Sequence, residues 1–366
     1  MAKFTCPFCI REYDKSDVMY FCPDCGKGTS PNAFEKEPIS CRTAGCGGRA
    51  TVRKCPKCGA VIPRMALETP NLPFSIVGVS NSGKTNYITV MLHELSRSSG
   101  LKLALGHQTP DTINHQNENY TRIYEEHTPP ESTQAGERMP QIWYIKNLQK
   151  KFGNSVPTYT FTIFDGAGED HENLDPSMAN TAVGEYIKAS SAIILMVDPL
   201  ILKNVRQGVD PDIMKNSLAG GESMTKDASN VINSVAEYIK AMRGINSKKQ
   251  LKIPVAVVLT KFDTIIGHKA FGPQALIRGK SLSIRDGRVD NTEIAQIDGE
   301  IRNWLYAVGE GGFINTLESH FKEFYFFGVS SYGAPPKAAY TLEDEIRPHR
   351  VLDPILWLFK KAKFVD

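Results

Sequence analysis

The feature that most constrains this chain is a glycine-rich turn at residues 78–85, which read Gly-Val-Ser-Asn-Ser-Gly-Lys-Thr. An apolar run at 73–77 precedes the turn, and residues 84–97 follow it with apolar side chains at helical spacing. In this order, successive backbone N–H groups converge on a phosphate at a helix N-terminus. The turn predicts a nucleotide triphosphate site, where Lys84 reaches the β- and γ-phosphates and Thr85 holds Mg²⁺. The predicted binding set is Gly78, Ser80, Asn81, Ser82, Gly83, Lys84 and Thr85.

Composition and charge narrow the class of protein. The chain has 366 residues, of which 41% are hydrophobic and 23% charged, and this length suggests about two domains. A net charge of +3 is too small to indicate a nucleic-acid or membrane partner. The apolar run at 192–197 is too short to span a bilayer, and the N-terminus lacks the apolar core of a signal peptide. We therefore expect a cytoplasmic protein without a membrane partner.

All eight cysteines lie before residue 59 and fall into four pairs. Turns that present paired thiolates can close a tetrahedron around Zn²⁺. We predict two Zn²⁺ in consecutive zinc ribbons, the first held by Cys6, Cys9, Cys22 and Cys25, the second by Cys41, Cys46, Cys55 and Cys58. A cross-braced pairing of alternate pairs stays open, because sequence fixes ligands better than connectivity. Redox chemistry is the weaker alternative for such an array.

The cysteine-rich segment is expected to form a domain of its own at residues 1–68, followed by a nucleotide-binding domain at 69–366. Prolines at 63, 70 and 73 indicate a linker over residues 62–73. The first 68 residues contain 11 Lys and Arg against 7 Asp and Glu, a modest basic excess without an aromatic stripe. That balance favours a protein partner for the ribbons over nucleic acid.

Further elements can be placed beyond the turn. Residues 141–147 and 158–165 predict two strands of an antiparallel hairpin, the second rich in β-branched and aromatic residues. The apolar runs at 192–198 and 253–259 predict strands buried on both faces. Residues 323–329 predict a last strand. Helices are expected at 230–242, 291–308 and 313–321, and a terminal helix begins at Asp353 and Pro354.

Two short motifs follow predicted strands. Asp165 and Gly168 have the spacing D-x-x-G, in which the carboxylate can hold Mg²⁺ through water and the glycine N–H can meet a γ-phosphate. Thr260, Lys261 and Asp263 have the spacing [NT]-K-x-D. Such an aspartate can accept two N–H bonds from guanine, and adenine offers no matching pair of donors. The first motif extends the predicted phosphate and Mg²⁺ site, and the second predicts a guanine nucleotide.

The chain resembles the Ras-like, TRAFAC-class P-loop GTPases over residues 73–363, since 78–85, 165–168, 260–263 and 329–331 stand in the family's order. The resemblance implies an α/β fold with a doubly wound, mostly parallel sheet and one antiparallel hairpin. It also implies GTP or GDP with Mg²⁺ at the carboxyl ends of the strands, and that Ser330 and Ser331 present backbone to the guanine O6. Most similar are bacterial members that carry N-terminal zinc ribbons.

The resemblance leaves the catalytic residues less well defined. The family has a switch threonine that binds Mg²⁺ and the γ-phosphate; Thr133 is the candidate, with Thr128 and Ser132 as alternatives. The water-orienting glutamine of the family is replaced by Glu169, whose charge opposes the γ-phosphate. The candidate catalytic set is therefore Lys84, Thr133 and Glu169, and the Mg²⁺ set is Thr85, Thr133 and Asp165. We expect hydrolysis to be slow or to depend on an activating protein.

Three functions remain in competition. The leading hypothesis is a switch in which GTP and Mg²⁺ order the loops and present a surface to a protein partner. The alternatives are a nucleic-acid-associated protein gated by nucleotide and a scaffold that holds nucleotide without turnover.

Overall fold

The computed structural model describes residues 3–31, 37–78, 81–98, 100–131, 140–150, 153, 155–165, 181–209, 211, 213, 228–337, 341–343 and 345–366. Its helices are α1 (Arg64–Glu68), α2 (Lys84–Arg97), α3 (Pro110–Tyr124), α4 (Ala182–Ala189), α5 (Lys203–Arg206), α6 (Ala228–Met242), α7 (Asn291–Ala307), α8 (Gly311–His320) and α9 (Asp353–Lys361).

Short strands occur in the cysteine-rich segment and longer ones after it. The short strands are β1 (Lys3–Thr5), β2 (Glu12–Asp14), β3 (Met19–Phe21), β4 (Gly28–Thr29), β5 (Ile39–Ser40), β6 (Arg49–Ala50) and β7 (Val52–Lys54). The later strands are β8 (Asn71–Gly78), β9 (Leu103–His107), β10 (Gln141–Asn147), β11 (Thr158–Asp165), β12 (Ala192–Val197), β13 (Val255–Leu259), β14 (Ile284–Arg285), β15 (Arg288–Val289) and β16 (Phe324–Gly328).

The central sheet has seven strands in the order β16-β13-β12-β8-β11-β10-β9. The pairs from β16 across to β11 are parallel, and β10 is antiparallel to both of its neighbours, β11 and β9. This is the predicted doubly wound, mostly parallel sheet with one antiparallel hairpin, and that prediction is confirmed. β9 extends the sheet by one edge strand beyond the hairpin.

Both faces of the sheet are buried, which explains the continuous apolar runs. Along β12, Ile193 and Leu195 point into one apolar cluster, whereas Ile194 and Met196 point into the other. Helices α4, α6 and α8 contribute to the first cluster, and α2 and α9 contribute to the second. Because the strands are parallel, their carboxyl ends share one edge of the sheet, where the side chains after each strand can meet.

The segment before β8 is a small module with its own apolar core. This zinc module, named for its cysteines, packs Phe4, Val18, Tyr20, Ile39 and Leu67 with the cysteines. The predicted linker at 62–73 is wrong: Ile62, Ala66 and Leu67 are buried in this core, and residues 64–68 form α1. Pro63 stands immediately before the helix, a position that needs no intrahelical N–H bond, so the prolines flank α1 and do not mark an open linker.

The predicted pairing of consecutive cysteine pairs is also wrong. The first pair joins the fourth, as Cys6, Cys9, Cys55 and Cys58, and the second joins the third, as Cys22, Cys25, Cys41 and Cys46. The reason lies in the antiparallel ladder of β3 and β7, which pairs Met19 with Lys54 and Phe21 with Val52. Cys22 follows β3 and Cys55 follows β7, so the two cysteines leave opposite ends of the ladder. The sites are nested along the chain, and we call them the outer and the inner site.

Among the described residues, the structure contains no helix with the length and apolar character that crossing a bilayer requires.

Candidate functional site

The glycine-rich turn joins the carboxyl end of β8 to the first turn of α2. Asn81 and Gly83 both have positive φ angles, 60° and 81°. The Lys84 side chain is buried and lies back over the turn, where Nζ donates to the carbonyl of Gly78 at 3.1 Å. Ser82 is also buried. The turn therefore places an ammonium group and a helix N-terminus at one point, as a phosphate site requires.

Gly78 ends β8 where the chain passes very close to its neighbours. A Cβ atom at this position would lie 2.5 Å from the carbonyl oxygen of Met196 and 2.8 Å from Oγ of Ser82. The first contact is with backbone of the adjacent strand β12, which pairs Met196 with Gly78. The tight approach explains why glycine occupies this position.

Thr85, in the first turn of α2, meets Asp165, the last residue of β11. The Thr85 hydroxyl donates to Oδ2 of Asp165 at 2.8 Å, and the Asp165 carboxylate is buried. A hydroxyl and a carboxylate beside a phosphate turn are the hard oxygen ligands that suit Mg²⁺. The predicted pair of Mg²⁺ residues is therefore brought together, and these two residues would hold the ion.

Thr260 and Lys261 follow β13 at the same edge of the sheet. The N–H of Thr260 donates to the carbonyl of Val197 at 2.9 Å, which ties the loop to β12. Lys261 has a positive φ of 47°, and its Nζ forms an ion pair of 2.6 Å with Oδ2 of Asp198. Asp198 lies directly after β12 and was not predicted as a site residue. Its position at the end of a buried strand is the sequence signal that could have found it.

Asp263 and Ser330 lie together in the neighbouring loops. Burial raises the pKa of the Asp263 carboxyl, and a hydrogen bond from the Ser330 side chain and the charge of Lys261 oppose this shift. The N–H of Ser330 donates to the carbonyl of His349 at 3.1 Å, and the N–H of Phe262 donates to the carbonyl of Val329 at 3.0 Å. The Ser330 N–H is thus used within the protein, which leaves the backbone of Ser331 as the predicted contact to the guanine O6.

A cavity of about 390 Å³ opens beside Thr85 and Asp165. Helix α3 supplies much of its wall, including His115, Asn119 and Arg122. The Arg122 guanidinium forms an ion pair with Glu131, with 2.6 Å between Nη2 and Oε1. Helix α3 therefore places a guanidinium group in the wall of the space next to the predicted Mg²⁺ residues.

Four predicted residues lie outside the described part of the chain. They are Ser80 of the turn, Thr133, Gly168 and Glu169. Their roles stay predictions.

Each cysteine site has the dimensions of a metal site. In the outer site, Sγ atoms are 4.0 Å apart between Cys6 and Cys58 and 3.7 Å apart between Cys9 and Cys55. In the inner site, the corresponding distances are 3.8 Å for Cys22 and Cys46 and 3.6 Å for Cys25 and Cys41. A tetrahedron with metal–sulfur bonds of about 2.3 Å has sulfur–sulfur edges of about 3.8 Å. Both sets of four thiolates therefore fit Zn²⁺.

With this geometry in place, the similarity to known proteins is specific. The family model described as Double-GTPase 1 matches residues 75–283, more than half of the chain. The chain belongs to the Double-GTPase 1 family. The matched range contains the phosphate turn, Asp165 and Asp263, and it ends before β14. Membership in Double-GTPase 1 and the arrangement of these residues support a GTP-binding domain of the P-loop GTPase type.

More distant similarities extend beyond the Double-GTPase 1 range. The Mycolicibacterium smegmatis protein named for ESX-1 scaffolding and assembly, SaeC, is 23% identical, with 96% of this chain and 97% of that protein covered. The GTP-bound Ski7 GTPase-like domain of S. cerevisiae has a TM-score of 0.35 at 12% identity, covering 80% of this chain and 50% of that chain. The Arl6 BBS3 small GTPase of Trypanosoma brucei has a TM-score of 0.29 at 14% identity, covering 81% of this chain and 99% of that chain. TM-scores this low do not establish a shared fold, and the fold assignment rests on the order of the strands in the sheet.

Proposed function

We propose that this protein is a Mg²⁺-dependent switch that binds and hydrolyses GTP and whose zinc module contacts a partner protein. One observation carries the proposal: the residues predicted to bind phosphate and those predicted to bind guanine lie at the same edge of the sheet. Lys84, Thr85 and Asp165 lie at the ends of β8 and β11, and Lys261 and Asp263 follow β13. A triphosphate lying along this edge reaches the first group with its phosphates and the second with its base.

The residues have distinct proposed roles. Lys84 leaves the Gly78 carbonyl and binds the β- and γ-phosphates, while Thr85, Asp165 and Thr133 hold Mg²⁺. When bound, the ion neutralises charge that builds up on the phosphate oxygens. Gly168 donates its N–H to the γ-phosphate, and Glu169 orients water. Asp263 accepts the guanine N–H groups, Lys261 covers the ring, and Ser331 meets O6 through its backbone.

The zinc module is proposed to be the partner-binding part of the switch. We assign two Zn²⁺, one to each cysteine site, and place the domain division after residue 68. Leu67 belongs to the apolar core of the zinc module and β8 begins at Asn71, which supports that division. The proposed location is the cytoplasm, and the proposed partner is a protein that binds the GTP form.

A scaffold without turnover is the second candidate. The observation in its favour is the similarity, over nearly the whole of both chains, to a protein named for scaffolding and assembly. Such a scaffold would bind GTP at the same edge of the sheet and present the same surfaces. It would differ from the switch in one property, because bound GTP would persist.

Nucleotide binding and single-turnover hydrolysis separate these proposals. We expect the zinc-loaded full chain to prefer GTP over ATP by roughly a hundredfold or more, because adenine leaves Asp263 without its donors. Lys84→Ala should remove binding of both nucleotides. Slow conversion of bound GTP to GDP supports the switch, whereas GTP that persists favours the scaffold. Equal affinity for GTP and ATP would contradict the guanine site itself.

The partner is tested by comparing captured proteins in the two nucleotide states. Binding that depends on a non-hydrolysable GTP analogue over GDP supports a switch. Binding that falls steeply with salt and requires nucleic acid would instead support the nucleic-acid alternative.

A further inference from the structure

The outer zinc site docks directly on the nucleotide domain. The turn that carries Cys6 and Cys9, with Pro7, Ile10 and Arg11, forms what we call the outer knuckle. Arg11 forms an ion pair of 3.1 Å with Glu185 of α4, and the hydroxyl of Tyr186 donates to the carbonyl of Pro7. Ile10 is 6% exposed and belongs to the apolar cluster of the nucleotide domain, with Phe164 and Tyr186.

Ile10 holds an unfavourable backbone conformation in order to make this contact. In the knuckles of the second and fourth cysteine pairs, the residue after the second cysteine is Gly26 or Gly59, with φ angles of 70° and 71°. Ile10 occupies the same position with a φ of 52°. A β-branched residue in this region is a true outlier, and such strain persists only where the surroundings enforce it. Here the surroundings are the core of the nucleotide domain, which buries the Ile10 side chain.

Tyr186 connects the knuckle to the predicted Mg²⁺ residues. Its ring is fully buried and stacks on Phe164 with a centroid distance of 4.6 Å and an interplanar angle of 18°. Phe164 immediately precedes Asp165 on β11, and Asp165 accepts the Thr85 hydroxyl. The path from the outer site to the Mg²⁺ pair thus consists of one hydrogen bond, one ring stack and one peptide bond.

A second connection runs from α4 to the strand that carries the phosphate turn. The Ser190 hydroxyl donates to the carbonyl of Tyr186 at 2.7 Å, and Ser190 and Ser75 join their hydroxyls at 2.5 Å. Both serines are buried, and Ser75 lies on β8, which ends at Gly78. By contrast, among the described residues the side-chain partners of the inner-site sulfurs lie within the zinc module, for example Asp24 beside Cys22 and Thr43 beside Cys25.

We propose that metal binding at the outer cysteine site and nucleotide binding are thermodynamically coupled through the docked outer knuckle and Tyr186. The proposal rests on the zinc and GTP sites assigned above. Metal holds the knuckle in the shape that docks, and the docked knuckle holds Phe164 and Asp165 in the arrangement that nucleotide and Mg²⁺ use. Coupling of this kind is reciprocal. If metal at the outer site raises the affinity for nucleotide by some factor, bound nucleotide raises the affinity of the outer site for metal by the same factor.

The equilibrium partition of zinc between the protein and a chromogenic chelator tests the coupling without an activity measurement. The full chain loaded with two Zn²⁺ is mixed with the chelator, with or without a non-hydrolysable GTP analogue and Mg²⁺. We expect the analogue to raise the apparent affinity for one of the two zinc equivalents by about 5- to 150-fold, the usual range of coupling between sites. The affinity for the other equivalent should be unchanged.

Two variants test the path, and one serves as a matched control. Ile10→Gly relieves the strained backbone but removes the buried side chain, and Tyr186→Phe removes only the hydroxyl that reaches Pro7. Both should keep two zinc equivalents, lose most of the protection by nucleotide and bind the analogue more weakly. Tyr20→Phe removes a tyrosine hydroxyl that donates to Glu37 inside the zinc module, and it should keep full protection.

The outcomes separate this inference from the function proposed above. If the unmodified chain binds the analogue but both zinc equivalents partition to the chelator equally with and without it, the coupling is overturned and the GTP site stands. Equal protection in the unmodified chain, Ile10→Gly and Tyr186→Phe also overturns it. Absence of any guanine-nucleotide binding overturns both proposals.

Discussion

Lys261 and Asp198 come from the ends of adjacent strands, β13 and β12, and meet as an ion pair with 2.6 Å between Nζ and Oδ2. The Asp198 side chain is 7% exposed and also accepts the N–H of Leu200 through Oδ1 at 2.9 Å. The carboxylate is therefore held rigidly, and it fixes the lysine that we propose lies over the guanine ring. Asp198 positions this lysine without needing to contact the nucleotide.

Asp198→Ala should weaken binding of guanine nucleotides, GDP included, because Lys261 loses its anchor. We expect a loss of about 10- to 100-fold, the equivalent of one hydrogen bond to a charged group. Calorimetric titration with GDP measures it. The control is Glu323→Gln, which removes a partner of Lys361 at the amino end of β16, away from the nucleotide edge. Equal affinities for Asp198→Ala and the control would exclude a positioning role.

Binding of GDP should weaken on acidification more than the nucleotide's own titration explains. Burial raises the pKa of Asp263, so this carboxyl takes up a proton at a higher pH than an ordinary aspartate does. The protonated form cannot accept both guanine N–H groups, and affinity falls as pH approaches the raised pKa from above. The difference between the unmodified chain and Asp263→Asn cancels the titration of the nucleotide. A constant ratio of affinities at all pH values would contradict this prediction.

The same shift acts in the opposite direction on folding. Because the pKa of Asp263 is higher in the folded than in the unfolded chain, the folded state binds more protons near that pH. This residue's contribution to the free energy of unfolding is present at low pH and is lost as pH rises through the raised pKa.

Gly78→Ala should destabilise the protein and weaken nucleotide binding. The added methyl would meet the Met196 carbonyl oxygen at 2.5 Å, and overpacking of this kind lowers the free energy of unfolding by about 1–3 kcal/mol. Gly299→Ala is the matched control, since a Cβ there meets nothing within 4 Å inside α7 and should stabilise by about 0.5–1 kcal/mol. Urea unfolding followed by circular dichroism compares the two. A neutral Gly78→Ala would refute the close approach of β8 and β12.

Arg350→Met should be strongly destabilising. The buried guanidinium pairs with Glu293 at 3.0 Å and Asp353 at 2.9 Å, and its removal takes away the cation that these two buried carboxylates share. The expected loss is about 3–5 kcal/mol in the free energy of unfolding. Arg347→Met removes an exposed pair with Glu345 and should leave stability unchanged within error. Similar losses for both variants would contradict the buried network.

Double cysteine variants distinguish the nested from the consecutive pairing by metal content. The unmodified chain should contain two Zn²⁺. Cys6→Ser with Cys58→Ser damages only the outer site and should leave one Zn²⁺ after washing with a chelator. Cys6→Ser with Cys22→Ser damages both sites and should leave none. The consecutive pairing gives the reverse result, so one measurement on each protein decides between them.

Local pattern predicted the parts of the fold whose cause is local. The strand at 192–197 is apolar at every position because both faces are covered, and the helix at 84–97 has its predicted bounds because Gly83 and the apolar spacing define it. Asp165 and Thr85 could be assigned together because parallel strands end at one edge. Lys261 and Asp263 could be assigned because the spacing [NT]-K-x-D is typical of an aspartate that accepts the N–H groups of guanine.

Features that depend on contacts between residues far apart in the chain could not be predicted from the sequence. The four cysteine pairs can combine into two sites in three ways that are all compatible with the same spacings. The ladder between β3 and β7 determines which of the three forms. The docking of Ile10 could not be predicted for a similar reason, because the sequence around an isoleucine after a cysteine pair does not indicate which distant residues it contacts. Asp198 was missed because a single aspartate after a strand has no motif of its own, although the strand before it was predicted.

The nesting of the two cysteine sites has a consequence for the order of assembly during synthesis. Cys25 and Cys41 are separated by 16 positions and Cys9 and Cys55 by 46, so closing the larger loop first would cost about 1 kcal/mol more in chain entropy. The inner site can therefore close early, and it shortens the path that the outer site must bridge. Pro7 and its contact Tyr186 are 179 positions apart. The outer knuckle must wait until just over half of the chain has been synthesised, and it acquires its final contacts later than the inner site can close.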